Sequence, residues 1–247
     1  MRANAQFGPP PPPAAPPNPH KIAPQDLTGY WVSIVTEDWR WRMITPDKGD
    51  FTSVPLNTEG VRVTNLWDPA KDVQSGNQCK SYGAPAIMRV PTRLHITWPD
   101  DNTLKIETDA GEQTRLFHFN VTQPPSEAPS LQGYSAAEWD GLPGGGMFRL
   151  PTVLAGGAAK PASEGYLKVT TTDLRAGYLR KNGVPYSANA KLVEYYDSFR
   201  EPNGDSWLVV TTVVTDSQYL SQPFITSSHF KKEPDASKWD PTPCEAQ

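Results

Sequence analysis

From Leu27 onward the hydrophobic and polar positions fall into short alternating runs, the period-2 signature of strands with distinct faces. Tyr30, Val32 and Ile34 alternate with Trp31, Ser33 and Val35. After a charged corner at Glu37-Asp38, Trp39, Trp41 and Met43 alternate with Arg40 and Arg42, which predicts a second strand. Both faces are partly apolar, as expected where a strand lines a cavity on one side and packs under loops on the other. Leu94, Ile96 and Trp98 mark a further strand, the Pro99-Asp100-Asp101-Asn102 turn reverses it, and Leu104 and Ile106 mark the next. Asp109-Ala110-Gly111 then leads into Gln113–Phe119, so that three antiparallel strands follow one another through short turns. A short strand is expected at Gly133–Asp140, and four more at Tyr166–Thr172, Lys191–Arg200, Ser206–Thr215 and Phe224–Lys232. Pro202-Asn203-Gly204-Asp205 is a hairpin turn, Asn182-Gly183 a second tight reversal, and Ser217–Ser221 a helical turn.

Three kinds of segment interrupt this pattern. Residues 6–25, with five consecutive prolines at 9–13, favour an extended polyproline II arm that has no core of its own and stands outside the fold. Between Thr45 and Pro91 lies a long excursion in which Thr58–Trp67 can form a short helix capped by Asn57 or Thr58, and Pro69 can open another turn. Neither helix is long enough to stand alone. Inside a barrel such a segment packs across one end. Residues 120–131 and 141–163, rich in Pro, Gly and Ala, read as loops. Gly144-Gly145-Gly146 lacks the strand-to-helix setting of a phosphate-cradling loop.

The length of 247 residues suits one large β domain, giving an N-terminal arm over 1–25 and a barrel domain over 26–247 with an irregular tail. A net charge of −4 offers no footprint for nucleic acid or an anionic membrane surface. No apolar run is long enough to span a bilayer. Cys79 and Cys244 have no zinc-type spacing. In an oxidising compartment they can form one disulfide, stabilising by roughly 4–5 kcal/mol through loop closure; in a reducing one they are two unrelated thiols. Ala3-Asn4-Ala5 has the A-x-A form of a signal-peptidase site without the apolar segment that should precede it. A chain starting close to its cleavage point, its signal peptide removed and Met1 added, accounts for both, and the expected location is periplasmic or secreted.

Gly29-Tyr30-Trp31 at the head of the first strand, with antiparallel strands after it, resembles the lipocalin (calycin) superfamily. That resemblance implies a β-barrel with Trp31 packed across its closed end against an arginine from a late strand, for which Arg200 is the candidate. The chain is also similar to a group of uncharacterised secreted bacterial proteins with a lipocalin-like barrel, through Asp26–Trp31, Leu56–Gly60, Gln78–Gly83 and Gly183–Ser187 followed by Glu194. The fold class expected is therefore all-β: a single antiparallel lipocalin-like barrel of about 8–10 strands, with short helices in the 45–91 connection.

Candidate chemistry is concentrated in a few places. His95 and His118 lie on strands and, if turned inward, are acid/base candidates; neither they nor His229 show a metal-ligand spacing, and no metal or cofactor is expected. At the corner, Trp39 and Trp41 suit stacking on a flat ring, while Arg40 and Arg42, on the other face, suit gripping a carboxylate or a polyhydroxylated ligand. Glu194, in phase with Leu192 and Tyr196, would if buried need an Arg or Lys partner or take up acid/base work, with Tyr186 as its proton-transfer neighbour. The function expected is binding of a small apolar or aromatic ligand, with Trp39, Arg40, Trp41, Arg42 and Tyr196 as contacts. The alternative is a cofactor-independent lyase, isomerase or hydrolase acting on a small aromatic, terpenoid or glycosidic substrate through Glu194, Tyr186, His118 or His95.

Overall fold

A computed structural model describes residues 16–121, 128–141 and 165–246. Nine strands close into a barrel: β1 (Gly29–Ile34), β2 (Arg93–Asp100), β3 (Thr103–Thr108), β4 (Thr114–His118), β5 (Tyr134–Asp140), β6 (Tyr166–Thr172), β9 (Lys191–Arg200), β10 (Ser206–Thr215) and β11 (Phe224–Glu233). The short pair β7 (Gly177–Tyr178) and β8 (Pro185–Tyr186) forms a separate hairpin. Around the barrel the order is β1-β11-β10-β9-β6-β5-β4-β3-β2. One expectation needs correction: β4 and β5 pair in parallel, Phe117 opposite Ser135. β4 ends where Phe119 N donates to Asn102 O, whereas β5 begins from the opposite end, where Leu131 O accepts from Ala84 N.

Period-2 alternation sends one face of each strand into the lumen. Leu94, Ile96, Leu104, Ile106, Phe117, Leu167, Val169, Tyr196, Leu208, Val210 and Phe230 are all fully buried and form one cluster with Trp31. The lumen that the pattern suggested as an aromatic cavity is thus occupied by its own side chains, each apolar one contributing about 1.5–3 kcal/mol when fully buried.

The barrel has two unlike ends. At one, Trp31 is buried and its indole N–H donates to Leu27 O at 2.9 Å. The cation over its ring belongs to Lys232 of β11, at 5.2 Å, and Arg200 is exposed at the β9–β10 turn. The late-strand partner is therefore a lysine, placed there because β1 pairs with β11 in the register Trp31 to Lys232. Gly29 adopts φ +102 beside the Lys232 side chain, a conformation open to glycine and strained for other residues. Residues 16–25 of the arm also pack at this end, contrary to the expectation that the whole arm stands clear: Trp139 donates to Pro19 O, His20 stacks on Trp98, and Gln25 bonds Asp197 and Ser198. The proline run 9–13, the A-x-A triplet 3–5 and the glycines 144–146 lie outside the described residues.

The 45–91 excursion covers the other end, as expected of it. Helices α2 (Thr58–Leu66) and α3 (Pro69–Gln74) begin at the caps read from the sequence, Asn57 accepting from Gly60 N and Asp68 from Ala70 N. Asn57 and Ser221 tie α2 to the β10–β11 connection through Tyr219 O and Pro55 O. A 3-10 turn (Gln78–Tyr82) and α4 (Ala84–Ile87) follow, and Ile87 and Met88 plug the lumen. Cys79 and Cys244 form the disulfide, tying the tail to this cap.

The second strand expected at the corner is a single helical turn, α1 (Trp39–Arg42). Asp38 takes a left-handed conformation (φ 50), and its carbonyl accepts from Trp41 and Arg42 N–H. Four alternating residues fit either period, and the anchoring of the Arg42 guanidinium to Arg89 O, Ser33 and Glu37 selects the helix.

Candidate functional site

Two groups of buried arginines lie within the structure. The first crosses the lumen. Arg115 on β4 is in phase with Phe117, so the strand turns its guanidinium inward, while Glu194 on β9 points at it from across the barrel. Arg115 Nη2 donates to Glu194 Oε2 at 2.6 Å and Nη1 to Oε1 at 2.9 Å, a bidentate pair with both residues essentially unexposed. Tyr196 donates to Glu194 Oε1 at 3.1 Å, and Thr171 accepts from Arg115 and bonds Ser135. Burial disfavours the Arg115 charge, but Glu194 and Tyr196 outweigh it and hold the guanidinium above its ordinary value. Burial and the adjacent Glu194 push the Tyr196 hydroxyl well up. Glu194 is thus buried and partnered by an arginine, one of the two outcomes considered for it, and the tyrosine beside it is Tyr196.

Tyr186 lies elsewhere, in the apolar cluster under the cap, with burial raising its hydroxyl. That hydroxyl has no hydrogen-bond partner and sits over Gly83 and Gly177, where an added Cβ would come within 2.1 and 2.6 Å of it. His95 and His118 both lie on the outer wall: His95 stacks on Tyr30 and bonds Glu107 at 3.1 Å, and His118 stacks on Tyr134. The inward orientation considered for them does not hold, because Leu94, Ile96 and Phe117 take the inner positions of those strands.

The second group lies at the capped end, in a crevice lined among others by Trp41, Arg42, Arg89, Leu179, Arg180 and Lys181. Its walls come from α1, from the segment between α4 and β2, and from the tip of the β7–β8 hairpin. That tip is clamped from two sides. Gly183 turns at φ +80 with the Trp67 ring where a side chain would be, and buried Asn182 donates to Asp47 O and Asp50 O at 3.0 and 2.8 Å. Arg180 is thereby held inward, its guanidinium 5.4 Å from the Trp41 ring centre.

The three arginines are compensated unequally. Arg42 pairs with Glu37, and Arg89 Nη2 with Asp38 Oδ2 at 2.9 Å. Arg180 is 4% exposed, donates through Nη2 to Ser53 Oγ at 2.9 Å, and among the described residues forms no ion pair. Burial, with Arg89 nearby, lowers it to about 10. Arg180 Nε and Nη1 and Arg89 Nη1 are buried without hydrogen-bond partners among the described residues.

Of the corner residues, Trp41 and Arg42 line this crevice, while Arg40 and Trp39 are exposed, Arg40 lying over the outer side of the Trp41 ring system at 5.8 Å. A helical turn sends successive side chains in different directions, so the arginine pair and the tryptophan pair do not form two shared faces. Arg89, Arg115, Arg180 and Lys181 were not singled out from the sequence. For Arg115 a signal existed, a charge in phase with Phe117; for Arg89 and Arg180 there was none, since both lie in irregular segments.

The fold and site define a closed all-β barrel with one end sealed by tryptophan and the other capped by short helices over an arginine-lined crevice. Compared with known protein families, with curated proteins and with solved structures, the chain matches none.

Proposed function

We propose that the protein is a secreted or periplasmic lipocalin-like barrel that binds a small molecule at its capped end rather than in its lumen. The observation that carries this reading is the set of three buried guanidinium nitrogens, on two arginines that line a crevice, Arg89 and Arg180, without a hydrogen-bond partner among the described residues. Buried donors left unpaired cost about 1–3 kcal/mol each, more on charged groups, so a site that keeps several is built for something that satisfies them. The disulfide supports an oxidising compartment. Of the residues considered for the enzymatic alternative, Glu194 already accepts from Arg115 and Tyr196 in a fully buried setting, Tyr186 is buried in the apolar cluster under the cap, and His95 and His118 lie on the outer wall. Native mass spectrometry of protein purified from its own source tests the binding reading. The expected result is a co-purifying small molecule that is lost from an Arg89→Gln/Arg180→Gln variant; a ligand retained by that variant would place binding elsewhere.

A further inference from the structure

We infer that the ligand class of the capped-end crevice is a monocarboxylate with an apolar body, its carboxylate lodged against Arg180 and Arg89 and its body against the Trp41–Ile44 side of the mouth. This rests on the binding reading above and names the chemistry it would take.

Charge sets the first condition. Arg42 and Arg89 each face a carboxylate of the corner, Glu37 and Asp38, whereas Arg180 has no ion pair among the described residues. Asp38 and Asp50 act on Arg180 only from beyond ion-pair distance, so its buried guanidinium still calls for a directly paired negative charge, since a buried charge is tolerated only when paired and hydrogen-bonded. Lys181, half-buried at the rim over the Tyr82 ring at 5.4 Å, adds attraction for an incoming anion.

Donor geometry sets the second. Arg180 Nη2 carries two hydrogens and gives one to Ser53. Whichever remains stands parallel to a hydrogen of Nε or of Nη1, both unpartnered among the described residues, so an intact fork is left open in either case. A planar carboxylate matches such a fork with two parallel bonds. Arg89 Nη1 supplies another donor.

Size and surroundings set the third. The void at the crevice centre is about 30 Å³, against the roughly 10–15 Å³ that one water requires by the same measure. This suits the two oxygens of a carboxylate and leaves the rest of the ligand at the mouth. There Ile44 is 66% exposed and borders the crevice, with Met43 and Trp39 exposed on the same turn. An apolar body laid on these side chains would bury surface that now faces water.

The test titrates the disulfide-intact full chain with benzoate and with benzamide, its neutral counterpart, by calorimetry and by NMR of the arginine Nε–H signals. Saturable benzoate binding that shifts the Arg180 Nε–H signal, with benzamide at least tenfold weaker, is the expected result. Arg180→Gln and Arg180→Lys should each weaken benzoate at least tenfold while the unfolding midpoint is kept, the lysine retaining charge but not the fork. Arg89→Gln provides the same comparison if the Arg180 variants fold poorly. Benzamide binding at the crevice as tightly as benzoate would overturn the carboxylate assignment and leave the binding reading standing. Saturable binding of neither probe, or benzoate binding untouched by all three substitutions, would overturn both.

Discussion

The barrel lumen and the cap crevice hold the same unusual feature, a buried arginine, and treat it in opposite ways. Arg115 is met by a bidentate glutamate, a tyrosine and a threonine, with only its Nε left without a partner. Arg180 is met by one serine hydroxyl, the Trp41 ring and the Arg89 charge, with Asp38 and Asp50 beyond ion-pair distance and with Nε and Nη1 both unpartnered among the described residues. Desolvation opposes the charge in both places, yet Arg115 ends above its ordinary value and Arg180 below it. The difference separates a charge that belongs to the structure from one that, on the proposed reading, belongs to a site. A charge neutralised from within fixes strands relative to one another; a charge left open at a crevice favours a ligand.

The largest expected effect lies in the lumen. Glu194→Ala leaves Arg115 buried without its counter-charge and should cost about 3–5 kcal/mol in urea unfolding. Adding Arg115→Met should recover much of that loss, and failure to recover it would mean that the pair does more than neutralise itself. Next is the disulfide. Replacing Cys79 and Cys244 by serine should cost about 2–5 kcal/mol. It should also loosen the cap before the barrel, with hydrogen-exchange protection lost around residues 78–89 while β9 and β10 keep theirs. Asn57→Ala removes the α2 cap and should cost about 1 kcal/mol, again confined to the cap in exchange measurements.

Arg180 should show the opposite sign. Arg180→Met removes a buried charge without an ion pair, and the unfolding free energy should stay level or rise by up to about 1 kcal/mol. The pH dependence sharpens this further. The Arg180 guanidinium is pushed down to about 10 in the folded protein, below its ordinary value in the unfolded chain. Between those values the unfolded chain binds more protons, so the contribution of this residue to stability rises with pH. The stability advantage of Arg180→Met should therefore be full at neutral pH and shrink as pH passes 10. An advantage constant from pH 7 to 11 would contradict the assignment of an uncompensated charge.

Much of the scaffold was legible along the chain because it depends on local rules. Alternation located the barrel strands, and the Asn57 and Pro69 signals located α2 and α3 at their caps. The corner at 37–42 was misread as a strand because four alternating residues cannot separate period 2 from a single turn, and the deciding contacts of Arg42 reach Ser33 and Arg89. The parallel pairing of β4 with β5 was likewise hidden, since which strands pair depends on the path of the chain between them.

The sequence by itself determined that this chain makes an all-β fold with a covering segment at 45–91, because burial periodicity, turn chemistry and helix caps act within a few residues; the place of Trp31 at one end came only from the resemblance carried by Gly29-Tyr30-Trp31. Only the tertiary structure decided that Glu194 meets Arg115, that Lys232 rather than Arg200 covers Trp31, and that Arg180 stands beside Arg89 without an ion pair among the described residues. The sequence separations are 79 residues for the first pair and 91 for the last (180 − 89). Charges so far apart are compensated or left open by the closure of the barrel and the docking of its cap, and no local pattern records which outcome follows.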